Sequence, residues 1–325
     1  MIDGLLFSGT ANIDFSNNVA KHLKIDLASC EIGKFSNGEI KININQSVRK
    51  KDCYVIQTTS KSGENSPNDN LFELFILIDA LKRGSAKTVN VIIPYYAYSR
   101  QDRKDYSRAP ISATVVAQFL ENLNVDRIIV FDLHAGQIGG FFSNKLPLDN
   151  LYVEPFFIKY IKQNIDIDNV IIVAPDEGAC KRAVRMSTKI NCGYASIFKQ
   201  RKEANVVDTM QLMGDVSNKI AILVDDIIDT GGTACKAAEI LHNNGAKEIY
   251  MVACHGLFSG NCIQKINNSY FKKVIVTNTV DIPHSSKKIE IIDVSKLCAE
   301  VIKRSEHGES LSELYNAIEP IFSIN

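Results

Sequence analysis

The stretch V-D-D-I-I-D-T-G-G-T, Val224 to Thr233, joins two kinds of chemistry. Asp225, Asp226 and Asp229 place three carboxylates within five positions, and Thr230, Gly231, Gly232 and Thr233 follow without a break. Glycines let a backbone take positive φ and come close to a ligand. If a helix begins at Ala234, its first N–H groups and the positive end of its dipole face whatever sits on the loop. The threonine hydroxyls add donors. The glycine–threonine half therefore suits a phosphate, and the acidic half suits hydroxyl groups or a cation. No G-x-x-x-x-G-K-[ST] occurs, so this is not a Walker loop.

Three further stretches carry reactive side chains. Asp132 and His134 lie two apart just beyond the apolar run I-I-V-F. In an extended chain both would point the same way. A carboxylate and an imidazole together could serve Mg²⁺, which takes one or two protein carboxylates and completes its shell with phosphate oxygens and water. Arg100 and Gln101 open R-Q-D-R-K and supply a guanidinium fork and an amide, fitted to phosphates and a base edge. Lys199 and Arg201 lie in I-F-K-Q-R-K-E-A-N-V-V, a polar stretch without apolar period. It reads either as an exposed basic loop or as a flap whose cations neutralise transferring polyphosphate.

These side chains need a scaffold, and the chain spells one. Apolar runs at Cys53–Gln57, Val89–Ile93, Ile128–Phe131, Val170–Val173, Ile220–Val224, Ile249–Ala253 and Val274–Val276 predict strands. Helical periodicity at Asn70–Lys82, Ile111–Leu123 and Ala234–Asn243 alternates with them, which implies parallel sheets with helices on both faces. Leu71, Leu74, Phe75, Ile78 and Leu81 form a core-facing stripe on the first helix. Gly84 and Gly245 stand where helix C-caps belong. S-A-K-T-V-N-V-I-I-P-Y-Y-A-Y-S (Ser85–Ser99) aligns without a gap with G-A-K-E-I-Y-M-V-A-C-H-G-L-F-S (Gly245–Ser259). This degenerate repeat predicts two related α/β domains meeting near Pro147–Glu154, each with a ligand crevice at the carboxyl ends of its strands.

The bulk composition narrows the function. In 325 residues, Lys+Arg and Asp+Glu are both 37, which argues against general binding of nucleic acid or a membrane surface. The start MIDGLLFSGTANIDF lacks the charged and apolar regions of a signal peptide, and no apolar run approaches the roughly 18 residues of a membrane span. Eight scattered cysteines without a C-x-x-C pair read as reduced, buried thiols of a cytoplasmic protein.

V-D-D-I-I-D-T-G-G-T resembles the phosphoribosyl-diphosphate signature of type I phosphoribosyltransferase folds. Alone it would fit a salvage phosphoribosyltransferase. Alongside it stand F-S-N-G-E (Phe35–Glu39), R-Q-D-R-K (Arg100–Lys104), S-R-A-P-I-S-A (Ser107–Ala113), D-L-H-A-G-Q-I-G-G-F-F (Asp132–Phe142), A-P-D-E-G-A (Ala174–Ala179) and K-Q-R (Lys199–Arg201). Together, from about Leu5 to Tyr315, they resemble the ribose-phosphate diphosphokinase family, also called phosphoribosyl-diphosphate synthetase, of the phosphate-dependent class.

The resemblance implies an α/β fold of two phosphoribosyltransferase-like domains, each a mainly parallel sheet flanked by helices. Residues 1–149 would form the ATP side, and residues 150–325 would carry the ribose 5-phosphate loop and the flap. It implies ATP contacts from Phe35, Asn37, Glu39, Arg100, Gln101, Asp102 and His134. Ribose 5-phosphate would meet Asp225, Asp226, Asp229, Thr230, Gly231, Gly232 and Thr233. Mg²⁺ would be served by His134 and Asp176, with Asp132 a weaker candidate, and Lys199 and Arg201 would be catalytic. Phosphate would activate and ADP inhibit at a site including Ser47 and Arg49, within homo-oligomers such as dimer-based hexamers. The sequence departs from the family at Gly139, Ala174 and Ala179, and the loop Thr58–Asn68 is slightly long. A non-catalytic regulatory relative would have lost acids or flap residues, and all of them are present.

Overall fold

In the computed structural model, residues 2–200, 209–282, 286–312 and Leu314 are described, the side chains of 199, 200 and 209 excepted. The chain divides into two compact units. One comprises Met1–Tyr152, Asn278–Asp281 and Asp293–Asn325, the other Val153–Thr277 and Ile282–Ile292. The described residues from Asp293 onward group with the first unit.

The first unit runs β1 (Leu5–Ser8), α1 (Ile13–Leu23), β2 (Cys30–Lys34), β3 (Ile40–Ile44), β4 (Asp52–Ile56), α2 (Pro67–Arg83), β5 (Thr88–Ile93), α3 (Ser112–Asn122), β6 (Arg127–Phe131) and β7 (Leu148–Leu151). Its sheet has the order β1-β4-β5-β6-β7, every pair parallel, while β2 and β3 form a separate antiparallel hairpin. The helix predicted from Asn70 begins at Pro67, because Ser66 and Asp69 close a capping box and Pro67 occupies the first turn. Leu71, Leu74, Leu77, Ile78 and Leu81 are its buried apolar face, with Leu77 taking the place expected of half-buried Phe75. Fully burying such side chains contributes about 1.5–3 kcal/mol each.

The second unit runs α4 (Glu154–Asn164), β8 (Val170–Ala174), α5 (Cys180–Ile190), β9 (Gly193–Gln200), β10 (Thr209–Met213), β11 (Ile220–Ile228), α6 (Gly232–Asn243), β12 (Glu248–Gly256), α7 (Cys262–Asn268), β13 (Lys273–Thr277) and β14 (Ile289–Ile292). Its sheet order is β10-β9-β8-β11-β12-β13-β14, parallel except for the antiparallel edge pair β9–β10. Ile220–Val224 are all buried, as a parallel strand covered on both faces requires. The helix α8 (Ser295–His307) packs on α1 within the first unit.

The sequence repeat is also a repeat of hydrogen bonds. Ser85 and Gly245 both take left-handed φ, 63° and 81°. Ser85 N–H donates to the Lys82 carbonyl and Ala86 N–H to Leu81; Gly245 and Ala246 do the same to His242 and Leu241. Lys87 N–H reaches the Lys51 carbonyl at 2.8 Å, and Lys247 reaches Lys219 at 2.8 Å. Each copy is thus a helix, a left-handed corner and a strand with one wiring. Gly84 is the C-cap of α2 as expected, with φ −69°, and the left-handed step falls on Ser85; in the second copy Asn244 is the C-cap of α6, and Gly245, one residue on, takes the left-handed step.

Candidate functional site

In the second unit, β11 continues past Val224 and carries the first two acids inside the strand. Asp225 pairs with Ala253 and Ile227 with His255 on β12. The strand was expected to stop at Val224, since acids and turn residues follow. Pairing with β12 overrides that local preference. Asp226 is buried and Asp225 partly so, and the Asp226 amide donates to Asp225 Oδ1 at 2.9 Å. The Asp225 carboxyl is pushed well above its ordinary range, chiefly by burial and then by Asp226 and Asp176. Asp176 sits in the turn after β8, where its Oδ1 accepts from the Ala179 amide at 3.1 Å.

The loop after β11 ends at Gly231, the N-cap of α6, with φ 71° and no side-chain cap. Thr230, Gly232 and Thr233 are exposed, and Asp229 is half-buried. A Cβ on Gly231 would lie 2.7 Å from Cys262 Sγ, so glycine is needed for room as well as for φ. The helix N-terminus is therefore open to an anion. Its counterpart in the first unit is closed: Ser66 and Asp69 cap α2, and these hydrogen bonds together with Lys34 hold the Asp69 carboxyl down at about 2. Gln57, Thr58, Thr59 and Ser60, which follow β4, are all buried. Gln57 donates to Glu73 at 2.8 Å, and Thr59 Oγ1 to the Tyr95 carbonyl at 2.6 Å. The duplicated fold thus keeps one open phosphate-type loop and fills the other with its own side chains.

The first unit instead presents exposed polar loops. F-S-N-G-E is the turn of the β2–β3 hairpin: Phe35 N–H bonds the Glu39 carbonyl at 2.8 Å, Asn37 Oδ1 accepts from Glu39 N–H at 3.2 Å, and Gly38 takes φ 91°. Phe35, Asn37 and Glu39 are exposed. Arg100 and Gln101 are exposed, and Ser112 Oγ donates to Gln101 Oε1 at 2.6 Å. Asp102 is buried and accepts from Gln137 Nε2, which joins the R-Q-D-R-K turn to the stretch after β6. Gln137 was not singled out from the sequence, because a glutamine among glycines carries no spacing signal.

Asp132 and His134 do not share an extended face. Asp132 has φ 38° and is 1% exposed, while His134 is exposed, so the chain turns between the strand and the imidazole. Ser47 and Arg49 are exposed beside buried Val48. Gly139 lacks positive φ and a Cβ there would meet nothing within 4 Å, so its backbone does not require glycine. Lys199 lies in β9 with its side chain outside the described atoms, and Arg201 lies outside the described residues.

Among the described residues, no group of three or more His, Cys, Asp or Glu could cage a metal ion. All eight cysteines are free, four of them buried, and no described helix is long and apolar enough to cross a membrane.

Two units of mainly parallel sheet and flanking helices, one bearing a helix N-terminus without a side-chain cap behind paired acids, define the phosphoribosyltransferase class of fold. Residues 5–123 match the N-terminal domain of ribose phosphate pyrophosphokinase, and residues 201–316 match the phosphoribosyl synthetase-associated domain. Phosphoribosylpyrophosphate synthetase from Mycobacterium smegmatis is 35% identical, matches over 94% of this chain and 100% of its own, and superposes with a TM-score of 0.88. The chain belongs to the phosphoribosylpyrophosphate synthetase family, the ribose-phosphate diphosphokinases. The salvage reading is not favoured. Purine phosphoribosyltransferase from Pyrococcus horikoshii, 19% identical over 44% of this chain and 81% of its own, has a TM-score of only 0.28, which carries no weight.

Proposed function

We propose that the chain transfers the β,γ-diphosphoryl group of ATP to the 1-hydroxyl of ribose 5-phosphate, giving 5-phosphoribosyl 1-diphosphate and AMP. The observation that carries the sugar-phosphate half is the open N-terminus of α6 directly after Asp225 and Asp226. Backbone N–H groups and hydroxyls of Thr230–Thr233 bind the 5-phosphate. Asp225 and Asp226 accept from the ribose 2- and 3-hydroxyls, and Asp229 borders them. Because the carboxylates grip the sugar and the loop grips its phosphate, the 1-hydroxyl is held in one direction, and alignment replaces a covalent intermediate.

ATP is the charge of the first unit. Arg100 and Gln101 stand exposed to receive phosphates and a base edge, steadied by the Ser112 bond to Gln101. Phe35 offers an exposed ring on the hairpin turn, and Asn37 and Glu39 offer polar groups. Asp102, buried on Gln137, orders the turn more than it touches the nucleotide. The 1-hydroxyl attacks the β-phosphorus in line and AMP leaves. Lys199 and Arg201 neutralise the charge that builds on the moving diphosphoryl group. Mg²⁺ would supply further charge neutralisation, with His134 of the first unit and Asp176 of the second as its candidate protein ligands; buried Asp132 supports the turn that presents His134.

The proposal extends to a cytoplasmic homo-oligomer built from dimers, activated by phosphate and inhibited by ADP through Ser47 and Arg49, whose exposure leaves them free to take an anion. The test is label transfer. With ATP labelled at the β-phosphorus, the label moves to the ribose product and none remains in AMP. Label retained in a nucleoside diphosphate would indicate transfer of one phosphoryl group and overturn the reading.

A further inference from the structure

We infer that Lys265 is a positioning residue of the ribose 5-phosphate loop, fixing its exposed peptide and supplying the positive charge that the loop's own sequence lacks. The inference rests on the assignment of Thr230–Thr233 to the 5-phosphate. Residues 225–233 contain three acids and no basic residue, an unfavourable setting for a dianionic phosphate unless a cation comes from elsewhere. The fold brings one from 32 positions beyond the loop's last residue: Lys265 Nζ, on α7, donates to the Thr230 carbonyl at 3.1 Å.

The direction of that bond matters. The described residues contain no cis peptide bond, so the Thr230 carbonyl and the Gly231 N–H point to opposite sides of one plane. Drawing the carbonyl toward α7 turns the Gly231 N–H away from α7, toward the outer side of the loop where an anion would lie. The same helix packs the underside. Cys262, one turn before Lys265, is fully buried, and its Sγ occupies the space where a Cβ on Gly231 would stand 2.7 Å away. Burial pushes the Cys262 thiol up to about 12, so it acts here as an inert packing group. Lys265 and Cys262 thus hold two successive loop residues, one by its carbonyl and one by its Cα. Lys265 is half-exposed, which leaves its charge able to act on a ligand at the loop.

The test compares Lys265→Met, which keeps the stem and removes the donor, with Lys265→Arg, which keeps charge and donor. Loss of a hydrogen bond to a charged group predicts that Lys265→Met raises KM for ribose 5-phosphate roughly tenfold or more, with KM for ATP unchanged. Lys265→Arg is predicted to recover most of the difference. Binding of ribose 5-phosphate alone, followed by calorimetry on both variants, must show the same order even if turnover is altered by other steps. An unchanged KM for ribose 5-phosphate, an equal rise for both substrates, or no rescue by arginine would overturn the inference while wild-type AMP formation left the underlying assignment standing. Absence of AMP formation by wild-type protein would instead remove the assignment itself.

Discussion

The backbone amide of Asp226 donates to the carboxylate of Asp225, its neighbour on β11, at 2.9 Å. Successive side chains on a strand face opposite sides, so this bond turns the Asp225 carboxylate back along the strand end. Burial and two neighbouring acids make its charge costly to the fold. A carboxylate held at such a cost beside an open loop marks a candidate ligand site, which leads to the first prediction. Asp225→Asn with Asp226→Asn should weaken ribose 5-phosphate binding by roughly tenfold or more, from two lost charged acceptors, with ATP binding little changed. Calorimetric titration of each ligand decides this, and equal losses would count against the assignment. The melting temperature of ligand-free Asp225→Asn should equal or exceed that of wild type, because the folded carboxyl sits above its ordinary range and its ionised form is disfavoured.

Lys199 is placed on the strand that leads into the 201–208 segment. Losing one preorganised charge donor to a transition state costs roughly 10²–10³ in rate. Lys199→Ala should therefore lower turnover by that order with ATP affinity retained. Near-normal turnover in a steady-state assay would sink the catalytic role.

Gly231 and Gly232 are adjacent but not equivalent. Gly231 has φ 71° and Cys262 Sγ 2.7 Å from its missing Cβ; at Gly232 the nearest atom is 3.9 Å away. Gly231→Ala should cost about 1–3 kcal/mol from a left-handed Cβ and overpacking. Gly232→Ala should cost under about 1 kcal/mol, since replacing glycine at a helix start carries no such clash. Chemical denaturation of the two variants should separate them in that order, and equal stabilities would contradict the packing described.

Ser85 pays for a left-handed corner that Gly245 forms freely, since a Cβ in that region costs about 1 kcal/mol. Ser85→Gly should raise stability by a few tenths to about 1 kcal/mol, and Gly245→Ser should lower it by a similar amount. Denaturant midpoints of the two variants test this; a shift of the same sign in both would show that the corners are not equivalent.

The parallel strands were legible because each is a short apolar run, and Val89–Ile93 and Ile128–Phe131 each fell within one residue of the observed β5 and β6. The repeat of Ser85–Ser99 in Gly245–Ser259 was legible because each copy needs the same corner. What local pattern could not show was the set by long-range pairing. β11 absorbs Asp225 and Asp226 because β12 offers it a ladder, and the run before Arg201 becomes the end of β9, paired antiparallel with β10. Likewise, an extended chain was the natural reading of D-L-H, yet Asp132 turns with φ 38° because its amide bonds the Leu151 carbonyl on β7. Motif chemistry was visible in residue types; Gln137 on Asp102 and Lys265 on Thr230 required the fold, because each pair lies 35 residues apart in sequence.

The central claim is transfer of a diphosphoryl group from ATP to ribose 5-phosphate, and AMP release measures it most directly. A coupled assay with ribose 5-phosphate, ATP and Mg²⁺ should show AMP appearing in equal amount to 5-phosphoribosyl 1-diphosphate, with no nucleobase required. ADP appearing in place of AMP, or product forming only when a nucleobase is added, would contradict it.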